Sequence, residues 1–154
     1  MTEPIRERIN TQLRQAMKAQ EKRRVSTLRL INAAIKDRDI AARSEGNHDG
    51  VSDQDVLAIF AKMIKQRDES VKVYEEAGRL ELAEQEKAEK AIIAEFLPKQ
   101  LTPEEVRVVS EQAVKDLDAA GLKDMGRTMA ALKERYAGQM DFAKASAVVK
   151  ELLG

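Results

Sequence analysis

Three charged residues stand at positions where a helix would place apolar ones. Val56, Phe60, Met63, Arg67, Ser70 and Tyr74 follow one another at steps of four and three, which keeps them on one helix face. Leu82, Glu86, Glu89, Ile93 and Leu97 do the same further on. Arg67, Glu86 and Glu89 therefore fall inside apolar seams, from which charge is normally excluded. Two carboxylates on one helix face could act as general acid and base, or hold a hard cation. Beside a guanidinium they would form a buried ion-pair cluster whose charge is satisfied within the chain. That second arrangement is the expectation, with no catalytic residue and no metal site. Ser70 has no histidine to activate it. His48 is the only histidine, and it lies in the loop Gly46-Asn47-His48-Asp49-Gly50 with no partner for a triad or a metal. The sequence holds no Gly-rich phosphate loop and no His-x-x-x-His. No cofactor is expected.

The elements that must carry these residues are helices. Ile5, Ile9, Leu13 and Ala16/Met17 predict a first helix over 4–21, with Pro4 in its first turn. A second runs from about Arg23 to Arg43, with Val25, Leu28, Ile31/Asn32 and Ile35 inward, and its other faces are crowded with Arg29, Lys36, Arg38 and Arg43. Ser52 and Asp55 form a capping box that opens a long third helix, which Gly78 ends in a left-handed conformation. The fourth runs from about Leu80 to Phe96 and is closed by Leu97-Pro98. So short a connection at Gly78 predicts an antiparallel hairpin. Arg67 is then level with Glu89 and Ser70 with Glu86. Thr102-Pro103-Glu104-Glu105 is the strongest helix start in the chain and marks the best domain boundary. A fifth helix spans about 103–119, stopped by Gly121. Asp124 caps a sixth, with Met125, Met129, Leu132 and Tyr136 inward, and Gly138 ends it. Asp141 caps a seventh, with Phe142, Ala145, Val148/Val149 and Leu152 inward. No stretch alternates with period two for long enough to be a strand. The fold class is all-α: residues 1–98 make a four-helix N-terminal domain with a long hairpin, and residues 102–154 a three-helix tail.

Bulk composition agrees. The chain has 154 residues, 43% hydrophobic and 35% charged, with aromatics at only 3%, so cores are built from aliphatic side chains and Met. It has no cysteine, which excludes disulfides, thiolate metal sites and a cysteine nucleophile. There is no apolar signal core and no stretch near the ~20 apolar residues of a membrane span. A soluble cytoplasmic protein is expected. Net charge is zero but unevenly placed. Residues 1–45 carry eleven Lys/Arg against six Asp/Glu, whereas residues 46–100 carry eight against twelve. Basic ends facing an anionic partner are one reading of that segregation; solvated helix faces are the other.

Leu28-Arg29, Ala34-Ile35-Lys36, Arg67-Asp68-Glu69-Ser70, Tyr74, Gly78-Arg79, Leu82-Ala83, Glu86, Glu89 and Phe96-Leu97-Pro98 together resemble the YqeY proteins of bacteria. Asp124-Met125-Gly126-Arg127 with Met129, Leu132-Lys133, Asp141 and Val149-Lys150 resemble the tail domain of the GatB component of the tRNA-dependent amidotransferase. The likeness covers essentially the whole chain and implies the same division into a four-helix domain and a three-helix tail. It implies a free-standing tRNA-associated accessory module, with an aminoacyl-tRNA synthetase or an amidotransferase as protein partner. The activity attached to such a family is that of a carbon–nitrogen ligase with glutamine as amido donor. The chain lacks the Ser-Ser-Lys amidase machinery and any nucleotide site, so catalysis of that reaction alone is not expected. On the tRNA reading Arg127, Lys133, Arg135, Lys144 and Lys150 touch phosphates, joined by Lys22, Arg23, Arg24 and Arg29. The alternatives are a component or regulator of amide transfer, with Arg67, Glu86 and Glu89 facing a cleft, and a protein–protein adaptor using the long third helix.

Overall fold

Helix punctuation in the structure is mostly local chemistry. The structure is a computed structural model that describes residues 4–154. Helix α1 (Ile5–Lys18) begins after Pro4, which sits at the N-cap rather than inside the first turn. Helix α2 is Lys22–Ser44, α3 is Asp53–Glu76 and α4 is Leu80–Ala94. Helix α5 (Pro103–Asp116) is followed by a single 3-10 turn at Leu122–Asp124, then α6 (Met125–Arg135) and α7 (Phe142–Leu153). The described residues contain no strand, so the fold is all-α. No helix among them is long and apolar enough to cross a membrane.

Both capping boxes form. The Ser52 side chain accepts from the Asp55 N–H while Asp55 accepts from the Ser52 N–H, and Thr102 and Glu105 do the same. Such a cap is worth about 1 kcal/mol, because it satisfies orphan donors of the first turn. Gly78 takes φ 74° after α3. The third helix, its capping and its glycine stop therefore need nothing beyond neighbouring residues.

Other ends differ from the sequence expectation. Helix α5 stops at Asp116, three residues early, because Asp118 adopts φ 50° and turns the chain. The Ala119 N–H then reaches back to the Val114 carbonyl at 3.0 Å. Aspartate tolerates the left-handed region better than most residues, so Gly121 is not the stop. Helix α1 ends the same way, at Lys18, with Gln20 at φ 58°. Asp124 does not cap α6 with its side chain. Its carboxylate accepts from the Ala120 N–H at 2.8 Å and from Arg127 at 3.0 Å, bracing the 3-10 turn instead. Asp141 does cap α7, accepting from the Ala143 N–H at 2.8 Å.

The chain divides into two compact units, the first ending at Leu97 and the second spanning Pro98–Gly154. In the first, Ile9, Leu28, Ile31, Val56, Phe60 and Ile93 are fully buried. Phe60 and Phe96 pack at 6.1 Å between ring centroids, and the Arg8 guanidinium lies 5.6 Å over the Phe96 ring. At the end of α1, Ala16 is buried while Met17 is 50% exposed, so the inward position is the alanine. In the second unit Ala113, Leu132, Ala145 and Val149 are fully buried, with Met140 beside them. Thr128 is buried too and donates its hydroxyl to the Asp124 carbonyl at 2.9 Å.

Candidate functional site

Helices α3 and α4 lie antiparallel along each other and carry the charged layer foreseen in the sequence. Arg67 Nε approaches Glu89 Oε2 at 3.5 Å, and the two side chains keep only 15% and 13% of their exposure. Arg67 Nη1 also donates to the Met63 carbonyl at 3.4 Å, one turn back on α3. Its Nε is buried without a hydrogen-bond partner. The pair is thus electrostatic rather than a well-formed bidentate contact. Glu86 stands outside ion-pair distance of Arg67 among the described residues. Burial pushes its carboxyl above the usual range, the Glu89 charge pushes the same way, and Arg67 offsets part of this. A flanking bridge, Lys90 Nζ to Asp68 Oδ1 at 2.6 Å, joins the two helices at the same level on the solvent side.

The α4 seam runs through Glu86, Glu89 and Ile93 as expected, but its outer end is one position away. Ala83 is 1% exposed whereas Leu82 is 37% exposed. Successive residues differ by about 100° around a helix, so burying the small Ala83 against α3 turns Leu82 outward. Between Arg67 and Glu89 Ala83 alone is buried. The outer half of the hairpin therefore presents Val73 and Leu80, 61% and 64% exposed, together with Leu82.

A second polar node, invisible to the sequence reading, ties α1 to α2. Arg6 grips Asp39 with both terminal nitrogens, at 2.7 and 2.6 Å, and donates to the Val51 carbonyl at 3.1 Å. The Val51 N–H returns to Asp39 at 2.9 Å. These bonds, Arg6 first, hold the Asp39 carboxyl down at about 2. Gly50, at φ 91°, leaves room for the clamp: a β-carbon there would stand 3.3 Å from Arg6 Nη2. Arg24 similarly pairs with Glu95 at 2.7 Å and donates to Gln12.

The proposed phosphate contacts of the tail are only partly available. Arg127 is bound to Asp124 at 3.0 Å and donates to the Leu117 carbonyl; Arg135 is bound to Asp116 at 2.8 Å. Lys133 is likewise engaged within the chain. Lys144 and Lys150 are exposed, but six residues apart they leave α7 about 120° from each other. The five residues do not form one line on these helices.

Helix α2 carries a longer run of exposed cations. Lys22, Arg23, Arg29, Lys36 and Arg38 are exposed and make no ion pair among the described residues. The first turn of α2 contains no acid, as in α6 and α7, whereas α1, α3, α4 and α5 each have at least one there. Cations at that end oppose the helix dipole, at a cost of about 0.3–1 kcal/mol each. An open groove of about 600 Å³ lies at the α1–α2 corner, lined by Met17, Gln20, Lys22, Val25 and Arg29. The signal for this surface is present in the sequence as a seven-residue spacing, Lys22, Arg29, Lys36, Arg43.

Among the described residues no three carboxylate or imidazole groups gather into a cation-binding set. Comparison with known proteins points one way. The family model described as Yqey-like protein matches residues 6–153. An uncharacterized protein of Schizosaccharomyces pombe is 30% identical over 90 residues, which make up 58% of this chain and 69% of that protein.

Proposed function

This chain belongs to the YqeY-like family, and on that premise we propose that it is an RNA-associated accessory module whose partner is tRNA and which has no catalysis of its own. The observation that carries this reading is the set of exposed α2 cations without ion-pair partners among the described residues. Phosphate contacts use such groups, since each contact releases condensed counterions from the nucleic acid. The resemblance of the tail to that of the amidotransferase supports tRNA as the particular RNA. It also makes a synthetase or an amidotransferase the class of enzyme served. The residues that looked most like chemistry, Arg67 and Glu89, face each other inside the hairpin, which supports a structural role for them.

The test is a titration of labelled tRNA with the full chain at 50 and 200 mM salt. Three phosphate contacts give a slope of roughly −2 to −3, so affinity should fall about 15- to 60-fold across that range. Salt-independent binding, or none at micromolar protein, would remove RNA from the account. A second reading, the protein–protein adaptor, is favoured by one observation: exposed Val73, Leu80 and Leu82 on the outer hairpin. Replacing all three with serine would abolish partner capture on the adaptor reading and leave tRNA affinity unchanged on the first.

A further inference from the structure

We propose that the outward face of α2, through Lys22, Arg29, Lys36 and Arg43, is the surface that follows the phosphate backbone of an RNA. This rests on the RNA-associated reading and deepens it, moving the principal contact from the tail to the first unit.

Lys22, Arg29, Lys36 and Arg43 recur every seven residues. Seven residues on an α-helix advance about 10.5 Å and return to within about 20° of the same direction. Four cations at that interval form a nearly straight line, spread over about 60° of the helix surface and about 32 Å long. All four are exposed, and they project away from the face that buries Leu28, Ile31, Ile35 and Ala42. Ser26, Ala33 and Ile40 lie between them on one flank, and Val25, Asn32 and Asp39 on the other, so Asp39 is the acid that borders the line. Asp37 follows Lys36 directly, about 100° around the helix. Asp39 stands nearest to Arg43 and draws on its charge, but both its oxygens are already held by Arg6. The clamp thus occupies the acid best placed to neutralise the line. At its first end, Lys22 and Arg29 border the open groove with Met17, Gln20 and Val25.

A straight row of cations fits a polyanion with charges repeated along a rod. The two arginines can take a phosphate with two hydrogen bonds and the two lysines act as point charges. The surface suits other anionic partners less well. A membrane-surface helix needs a continuous apolar face, whereas the large exposed apolar residues of α2 are Leu30 and Ile40, about 80° apart. A protein interface of ordinary strength needs a buried apolar or aromatic centre, which this line lacks.

The experiment compares the wild-type chain, Lys22→Glu/Arg29→Glu/Lys36→Glu and Lys144→Glu/Lys150→Glu. Each is titrated against fluorescent unfractionated tRNA at several salt concentrations, with helical circular dichroism as a folding control. A glutamine version of the triple variant serves if the charge reversal disturbs folding. The proposal expects the α2 variant to lose at least about tenfold in affinity at 50 mM salt, and its salt slope to shrink by about two to three. The tail variant should stay within about threefold of wild type. Normal binding by the α2 variant with loss in the tail variant would overturn this assignment and keep the RNA-associated reading. Failure of the wild type to bind tRNA in a salt-dependent way would overturn both. Binding of the wild type to vesicles of anionic phospholipid, abolished by the α2 changes, with no tRNA binding, would assign the face to a lipid surface and overturn the proposal.

Discussion

Replacing Arg67 with methionine tests whether the charged layer of the hairpin is an internal pair. The substitution keeps the length and apolar stem of the side chain and removes its charge. Glu89 would then be left 13% exposed, one turn from Glu86, whose carboxyl burial already pushes up. Leaving a buried charge without its partner costs about 3–5 kcal/mol. The residual water contact and the 3.5 Å separation place this case at the lower end, about 3 kcal/mol. That is a large share of the roughly 5–15 kcal/mol that stabilises a typical domain. Loss of Arg67 also removes the one group pulling Glu86 back down, so its folded pKa rises further. A carboxyl raised in the folded state binds more protons folded than unfolded, so stability falls as pH rises through that window. The defect should therefore be full near neutral pH and shrink as pH falls toward the ordinary carboxylate range. Adding Glu89→Met should recover part of the loss, since two apolar residues can fill the site without desolvated charge. Urea unfolding followed by circular dichroism, at pH 7.5 and at pH 5.5, reads all three effects. A single variant that unfolds within about 0.5 kcal/mol of wild type, or a double variant no more stable than the single, would show that Arg67 and Glu89 are not an internal pair.

Two further outcomes are expected. Asp39, held at about 2 against an ordinary 3.8, contributes stability that is full above about pH 5 and lost as pH falls through about 2. Its side chain is 18% exposed, so after screening the contribution is about 1–2 kcal/mol. Asp39→Asn should lower stability at pH 7 by that amount and flatten the acid limb of the stability curve; an unchanged limb would show that the Arg6 clamp does not form in solution. A fragment of residues 98–154 should melt cooperatively with helical circular dichroism, because it contains its own buried cluster around Ala113, Leu132, Ala145 and Val149. A chain this short is marginal, and a gradual, non-cooperative melt would mean that this unit needs the first one to fold.

What the amino-acid order determined by itself is what lies within a few residues of its cause. The boxes Ser52–Asp55 and Thr102–Glu105, the Gly78 stop and the Asp141 cap each join groups two or three positions apart or require one backbone conformation. The facing of Arg67 and Glu89 was legible for the same reason, since both are eleven residues from a single tight turn. The outer end of the α4 seam was not. Whether α4 buries Leu82 or Ala83 depends on how closely two helix backbones approach, and a rotation of one position separates the two outcomes. The early stop of α5 at Asp116 was hidden because Asp118, not a glycine, took the left-handed turn. Tertiary structure alone brought Arg6 to Asp39, 33 positions away, and Arg24 to Glu95, 71 positions away. Those pairings decide which cations are spent internally and which face solvent. A charged side chain carries no mark of its partner along the chain; only the packing of helices around Leu28, Ile31 and Phe60 sets which charges come within reach of one another.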